Sequence, residues 1–140
     1  MGINVNTMRI NSKIIPSLVA VLSILLLGAF SAQGAAKGSS IKFEEKSFDF
    51  GNVAKGNKPV SHEFEFVNDG EQNLVILSAT AECGCTKPEY PQAPIPPGKR
   101  GRIKVTFNPA GFRGVFSKQV TVRTNGNPKK VRLIIKGNVQ

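Results

Sequence analysis

The 140-residue chain has few of the side chains that most enzymes use for catalysis. It contains one histidine, one tyrosine, two cysteines and no tryptophan. No serine or cysteine nucleophile can be matched to a base, since His62 is the only histidine and lies in an alternating, strand-like run. We therefore expect no catalytic residues, and a protein that is not an enzyme.

Acidic residues are missing from the C-terminal part of the chain. Residues 37–90 carry nine acidic and six basic residues, whereas residues 91–140 carry eleven basic residues and no acidic one. A region with charge of one sign attracts anionic partners. The competing interpretation is a solvated basic face that only aids solubility.

Helical periodicity is absent after residue 36. Short alternating runs of apolar and polar residues are separated by turn residues every ten or so positions, which is typical of all-β sandwiches and barrels. The predicted strands begin near Ile41, Phe48, Val60, Leu74, Ile103, Val115 and Val131. The chain therefore predicts an immunoglobulin-like β-sandwich of about seven strands.

Two of these strands make specific predictions about burial. Within residues 60–67, Phe64 and Phe66 alternate with glutamates, so one face should enter the core and the other should meet water. Residues 74–80 are continuously apolar. Such a run suits a strand that is buried on both sides or lies at the centre of the sandwich.

The last two strands are predicted to form a hairpin. The Asn-Gly-Asn-Pro turn at residues 125–128 should bring Val120 and Val122 next to Val131 and Leu133. Basic side chains would then share the outer surface of the hairpin. The candidate anion-binding residues are Lys118, Arg123, Lys129, Lys130 and Arg132.

The N-terminal region has the layout of a signal peptide. Arg9 and Lys13 precede an apolar run over residues 14–30, and small residues follow. We expect a signal peptide and linker in residues 1–36 and one domain in residues 37–140. The domain would be periplasmic or secreted, with no stable membrane span after cleavage, or else anchored by an uncleaved N-terminal segment.

Export also narrows the range of partners. It makes nucleic acid an unexpected ligand and favours another envelope protein or an anionic envelope component. The sequence leaves the oligomeric state open.

The two cysteines form a Cys83-Gly84-Cys85 motif. Exported cysteines are usually oxidised, but on one strand their Cα atoms would lie near the upper limit for a disulfide, about 6.8 Å. A bond would be strained, and a strained bond suits redox exchange. Cys83 and Cys85 are therefore a candidate disulfide or redox pair.

Other interpretations of the cysteines stay open at this stage. Two thiolates suit Cu(I) or zinc, although His62 is the only histidine available and zinc usually takes about four ligands. The thiols could also pack as small apolar groups. We expect neither a metal nor a cofactor, and we interpret residues 79–109 mainly as a connection between sheets, held by the Pro-Pro-Gly turn at residues 96–98.

Several motifs together carry a family resemblance. They are Phe48-Asp49-Phe50-Gly51-Asn52-Val53, Glu65-Phe66-Val67-Asn68, Cys83-Gly84-Cys85-Thr86, Ile95-Pro96-Pro97-Gly98-Lys99, Ile103-Lys104-Val105-Thr106-Phe107 and Gly114-Val115-Phe116-Ser117-Lys118. With this combination the chain resembles the bacterial exported family catalogued as domain of unknown function 1573. It is similar, more distantly, to major-sperm-protein and Hydin-like immunoglobulin domains.

The resemblance implies a β-sandwich and export, and it implies no reaction. Many members of the family look like lipoproteins, but this chain lacks the cysteine that lipidation requires, which favours a soluble periplasmic form. We expect an exported, non-catalytic binding or structural module, with exposed sheet edges as one contact surface. The alternatives are a thiol-redox or copper-binding module using the Cys-Gly-Cys motif, and a binder of an anionic envelope polymer through the basic C-terminal half.

Overall fold

The computed structural model describes residues 37–140, which form two four-stranded β-sheets without a helix. The strands are β1 (Ile41–Phe43), β2 (Ser47–Val53), β3 (Val60–Asn68), β4 (Ile76–Ala81), β5 (Thr86–Glu89), β6 (Arg100–Phe107), β7 (Gly114–Thr124) and β8 (Lys130–Val139). Sheet 1 has the order β1-β3-β6-β5, and sheet 2 has the order β2-β8-β7-β4. The predicted immunoglobulin-like β-sandwich is confirmed.

The predictions for the N-terminal region concern residues that the structure does not describe. The signal peptide and linker predicted for residues 1–36 lie outside the described residues. Within residues 37–140, no helix is present that is long and apolar enough to cross a membrane.

Residues 37–140 contain eight strands, where the sequence predicts about seven. The additional strand is β5, which lies in the segment interpreted as a connection and pairs with the end of β6, Thr86 opposite Phe107 and Pro88 opposite Val105. It is a four-residue strand at a sheet edge, a position that tolerates proline. Its sequence is too short to show periodicity, so pairing with β6 is what makes it a strand.

The apolar run at residues 74–80 is not a central strand, and that prediction is wrong. Its strand, β4, is the last strand of sheet 2 and pairs only with β7. A register irregularity between Ile76 and Ser78 turns Leu77 outward, where it is 60% exposed. Leu74 lies before the strand, fully buried, and bridges to Ile95. The apolar residues of this run therefore occupy different environments, because Leu74 is a buried loop residue and Leu77 lies at a bulge.

The core lies between the two sheets and comes from alternate residues of their inner strands. Sheet 1 buries Phe64 and Phe66 completely, as the alternation with glutamates predicts. The other fully or almost fully buried apolar residues on the inner strands are Ile103, Val105, Phe107, Val120, Val122, Leu133 and Ile135. Their removal from water drives the two sheets together.

The predicted C-terminal hairpin is confirmed. Strands β7 and β8 are antiparallel, with Val120 opposite Leu133 and Val122 opposite Val131. In sheet 2 they are the two central strands, and β2 completes the far side by pairing in parallel with β8.

A buried asparagine joins several segments at one end of the sandwich. Asn68 is 0% exposed, and its Oδ1 accepts hydrogen bonds from the backbone N–H groups of Ser40 and Gly70 at 3.3 and 3.0 Å. Its Nδ2 donates to the carbonyl oxygens of Gln72 and Ile95 at 2.7 and 2.9 Å. The sequence marks Asn68 only as a turn residue, and its burial follows from the segments that converge there.

Candidate functional site

The outer face of sheet 1 carries charges of both signs that neutralise one another. Arg102 of β6 lies 3.4 Å from Glu63 and 3.3 Å from Glu65 of β3, and Arg100 lies 3.6 Å from Glu65. A hydrogen bond from Arg100 to Glu44 raises the pKa of the Arg100 guanidinium above its ordinary value. Most of the arginine charge on this face is therefore balanced by carboxylates.

The basic C-terminal half of the sequence is thus not one surface. Its cations on β6 belong to sheet 1, whereas those on β7 and β8 belong to sheet 2, on the other side of the sandwich. Because the acidic residues of β3 pair with β6, they are unavailable to the cations of sheet 2.

Three outward-facing cations of sheet 2 lie together at one end of its outer face. Arg123 of β7 and Lys130 of β8 lie directly opposite each other, and Arg132 is the next outward-facing residue of β8. The backbone carbonyl of Lys46 accepts a hydrogen bond from Ile134 at 2.8 Å, which places Lys46 beside β8. We call Lys46, Arg123, Lys130 and Arg132 the basic patch.

A shallow pocket lies within the basic patch. It has a volume of about 340 Å³ and is lined by Lys46, Lys130 and Arg132 together with Pro128 and Val131. Lys129, also predicted as an anion ligand, is exposed in the turn immediately before β8. The pocket is open and cationic, so it can admit one acidic group of a larger ligand.

No carboxylate neutralises the basic patch within residues 37–140. None of its four cations forms an ion pair there. Asp49, on the neighbouring strand β2, is paired with Lys136 at 3.7 Å, and Glu82 accepts a hydrogen bond from Gln119 at 3.0 Å. Like charges that face each other across strands disfavour a sheet unless an anion lies between them.

Lys118 does not belong to this surface. It has the same orientation as the buried residues of β7, its partner across the strand is the buried Ile135, and its Nζ lies 4.8 Å from the ring centroid of Phe112. It is also five residues from Arg123 along the strand, or roughly 17 Å. The prediction that Lys118 shares the outer surface of the hairpin is wrong, because odd and even residues of a strand face opposite sides.

The cysteines occupy the turn between β4 and β5, where the chain passes from sheet 2 to sheet 1. Cys83 and Cys85 are joined by a disulfide, with their Cα atoms 5.3 Å apart. That separation is within the ordinary range for disulfides. The expectation of a separation near the upper limit is wrong, because the motif forms a turn instead of an extended strand.

A buried hydroxyl lies against the disulfide. Thr86 is 4% exposed, and its Oγ1 is 3.7 Å from the Sγ atoms of both Cys83 and Cys85. The bonded sulfurs carry no hydrogen, so the hydroxyl is the donor. Sequence reasoning assigned no role to Thr86, although it follows the motif directly. A threonine in a sequence does not show which group its hydroxyl will contact in the folded protein.

The single histidine has local partners. His62 Nε2 lies 2.6 Å from Glu45 Oε1, and its ring stacks on Phe48 with 3.6 Å between centroids. Within residues 37–140, no group of three or more His, Cys, Asp or Glu side chains is arranged to hold a metal ion. His62 is thus placed as a partly buried, hydrogen-bonded residue of the sandwich.

Lys46 is the other site residue that sequence reasoning missed. It stands in the acidic part of the sequence, far from the basic half, and adjoins Lys130 and Arg132 because β2 pairs in parallel with β8. A parallel pairing such as that of Ser47 with Ile134, 87 positions apart, has no local signal in the sequence.

Comparison with solved structures supports the fold. A protein of unknown function from Porphyromonas gingivalis W83 superimposes with a TM-score of 0.64 at 17% identity, covering 79% of this chain and 51% of its own. This chain therefore spans about half the length of that protein. At this level of identity the likeness concerns the fold alone.

Parts of two proteases of Vibrio cholerae have a similar fold. The protease VesB superimposes with a TM-score of 0.52 at 13% identity, covering 71% of this chain and 31% of its own. The secreted serine protease VesC gives 0.50 at 11% identity, covering 73% of this chain and 23% of its own. These matches cover a minor part of each protease at low identity, so the likeness concerns the fold alone.

The sequence itself identifies the family. No curated protein matches it. The family described as protein of unknown function (DUF1573) matches residues 41–139, from the first strand of the sandwich to the last. Because this match covers both sheets and every motif that carries the resemblance, the chain belongs to the DUF1573 family.

Proposed function

We propose that the chain is an exported, non-catalytic binding module that holds an anionic polymer of the cell envelope on its basic patch. The observation that carries this proposal is that the two sheets differ in whether their cations have carboxylate partners. Sheet 1 matches its arginines with glutamates, whereas the four cations of the patch have no carboxylate partner among the described residues.

The arrangement within the patch supports binding over simple solvation. Arg123 and Lys130 face each other across two paired strands, where like charges weaken a sheet. In sheet 1, by contrast, the directly opposed residues Glu63 and Lys104 carry opposite charges. A bound anion would offset the repulsion between Arg123 and Lys130 in sheet 2. The same two charges give the patch a local positive field that attracts anions.

The spacing of the cations favours a polymer over a single small ion. Neighbouring strands lie about 4.8 Å apart, and alternate residues of one strand lie about 6.8 Å apart. The four cations thus form a grid that can contact several acidic groups in succession. Arg123 and Arg132 can each take a phosphate, sulfate or carboxylate group with two parallel hydrogen bonds.

The experiment compares two matched double variants of the full chain. Lys130→Ala with Arg132→Ala removes one lysine and one arginine from alternate positions of β8. Arg102→Ala with Lys104→Ala removes the same residue types at the same spacing from β6. Heparin serves as the anionic polymer probe, and the affinity is measured by titration at several salt concentrations.

We expect the β8 variant to lose about tenfold in affinity near 0.1 M salt, on the basis of two contacts of roughly 0.5–1 kcal/mol each. The β6 variant should bind nearly as tightly as the unaltered chain. Affinity should also fall as salt rises, because exposed charges are screened. Equal losses in both variants would mean that net charge alone attracts the polymer, and the proposed site would be wrong.

Export is tested separately from binding. Mass spectrometry of the chain recovered from the soluble envelope fraction should give a mass that lacks most of residues 1–36. Recovery of the intact chain only in the membrane fraction would support the uncleaved anchor instead.

A further inference from the structure

The Cys83–Cys85 disulfide contributes little to holding its turn. Thr86 N–H donates to the Cys83 carbonyl at 3.2 Å, and Asn108 N–H donates to the Cys85 carbonyl at 2.9 Å. Backbone hydrogen bonds thus already hold the turn. A disulfide between residues two apart also closes a very short loop, and the shortest loops constrain the unfolded chain least.

The sulfurs lie where a second thiol can reach them. Both cysteines are only partly buried, and Gly84 between them is exposed. Apart from its two chain neighbours, no residue in the described range 37–140 lies within 4 Å of its Cβ position. The two sulfurs differ in surroundings, because Cys85 packs against the hydrophobic core whereas Cys83 does not. Because it lacks this contact with the core, Cys83 Sγ is the sulfur that we assign to attack by a partner thiol.

Thr86 favours the reduced form of the pair over the oxidised form. Within residues 37–140 its buried hydroxyl has no hydrogen-bond partner except the two sulfurs. A disulfide sulfur is a weak acceptor, whereas a thiolate is charged and accepts a much stronger hydrogen bond. The hydroxyl thus gains a good acceptor only when the bond is broken.

We propose that Cys83–Cys85 is a thiol-exchange site, with Thr86 as the residue that positions and stabilises the released thiolate. This inference does not depend on the anion-binding proposal. The co-reactant is a thiol-bearing partner that supplies two thiols. In reverse, the reduced cysteines give two electrons to a partner disulfide.

The exchange proceeds in two balanced steps. A partner thiolate attacks Cys83 Sγ, the bond to Cys85 breaks, and Cys85 Sγ leaves as a thiolate that accepts the Thr86 hydrogen bond. A second partner thiolate then attacks the partner sulfur of the mixed disulfide and releases Cys83. The cysteine pair has gained two electrons and is released as two thiolates, and the two partner sulfurs have become a disulfide. The protons that the partner thiols lost to solvent on ionisation balance any that the cysteine thiolates later take up from it.

The first test measures the equilibrium between the cysteine pair and glutathione. The full chain is equilibrated in buffers of reduced and oxidised glutathione at pH about 8.5, near the ordinary pKa of a cysteine thiol. Acid quenching, alkylation and mass spectrometry then give the fraction reduced. We expect the fraction of reduced cysteine pair to rise across these buffers as the share of reduced glutathione rises.

Two variants of Thr86 separate this role from a structural one. Thr86→Val, which keeps the shape without the hydroxyl, should lower the equilibrium constant for reduction about tenfold. Thr86→Ser restores the hydroxyl and should restore the equilibrium. Melting curves measured in parallel confirm that each variant is folded. A disulfide that stays fully oxidised in reduced glutathione, or a Val variant that matches the unaltered chain, would overturn the proposal.

The second test compares the access of a glutathione-sized reagent to the two sulfurs, because access is the ground on which Cys83 is assigned as the attacked sulfur. Cys85→Ser leaves Cys83 alone, and Cys83→Ser leaves Cys85 alone. With oxidised glutathione, we expect the chain that retains Cys83 to form the mixed disulfide several-fold faster, and the difference to vanish in denaturant. Equal rates in the folded proteins would show that the assignment of Cys83 as the attacked sulfur is wrong.

Discussion

A close approach between a glycine and a phenylalanine in sheet 1 makes the sharpest prediction about stability. Gly101 of β6 lies directly opposite Phe66 of β3, and a Cβ atom at residue 101 would overlap the Phe66 ring. Phe66 is 0% exposed and packs on Phe43 with 5.4 Å between ring centroids. The ring therefore has no free space into which it can move, so Gly101→Ala should overpack the core.

The magnitude follows from two opposing contributions. Overpacking costs about 1–3 kcal/mol, while replacing glycine by alanine in a strand stabilises by roughly 0.5–1 kcal/mol. Gly101→Ala should therefore lower the free energy of unfolding by about 1–2 kcal/mol. In a Phe66→Leu background, which lacks the outer part of the ring, the same change should be neutral or slightly stabilising.

The assay is a double-mutant cycle measured by urea unfolding with circular dichroism. The milder Phe66→Leu is preferred because Phe66→Ala should cost about 3–5 kcal/mol, a large part of a typical domain stability of 5–15 kcal/mol. We expect a coupling energy of about 2 kcal/mol. Gly38→Ala is the control, since its Cβ position is open, and it should change stability by less than about 0.5 kcal/mol. Additivity of the two substitutions within that margin would refute the reasoning.

Two further predictions concern buried contacts. Asn68→Ala removes four hydrogen bonds and should lower the free energy of unfolding by about 2–4 kcal/mol, whereas Asn57→Ala, in an exposed turn, should change it by less than about 0.5 kcal/mol. Similar losses in these two variants, measured by urea unfolding, would show that the buried network contributes little. Gly137→Ala would place its Cβ 2.9 Å from the Gly51 carbonyl oxygen and from the Phe116 ring, so thermal melting should show a loss of about 2–3 kcal/mol. An unchanged melting temperature would mean that β2 and the Phe116 ring move away from residue 137 of β8 at little cost.

Much of the fold could be predicted because local alternation reports which side of a strand is buried. Phe64 and Phe66 are buried and the intervening Glu65 meets Arg102, as the period-two pattern indicates. The Asn-Gly turn at residues 125–126 also placed Val122 opposite Val131 correctly, because a hairpin is a local structure.

The parts of the fold that could not be predicted depend on strand neighbours. β5 is too short and contains Pro88, so only its pairing with β6 defines it. The edge position of β4 was equally invisible, because the apolar run that suggested a central strand includes the outward-facing Leu77. Composition shows that a segment avoids water without showing which element covers it.

The candidate sites divide in the same way. Cys83 and Cys85 could be identified from their spacing, but their turn geometry and the buried Thr86 beside them could not. The basic character of the patch could be predicted, whereas the addition of Lys46 and the removal of Lys118 required the sheet order and the register.

The sequence by itself determined the class of fold and the chemical character of each strand, since alternation, turns and charge are local properties of the chain. The tertiary structure decided which charges meet. It set the glutamates of β3 beside Arg100 and Arg102, and it left Arg123, Lys130 and Arg132 without a carboxylate partner among the described residues. Electrostatic neutralisation depends on distance in space, and strands far apart in the chain become neighbours only when the two sheets assemble.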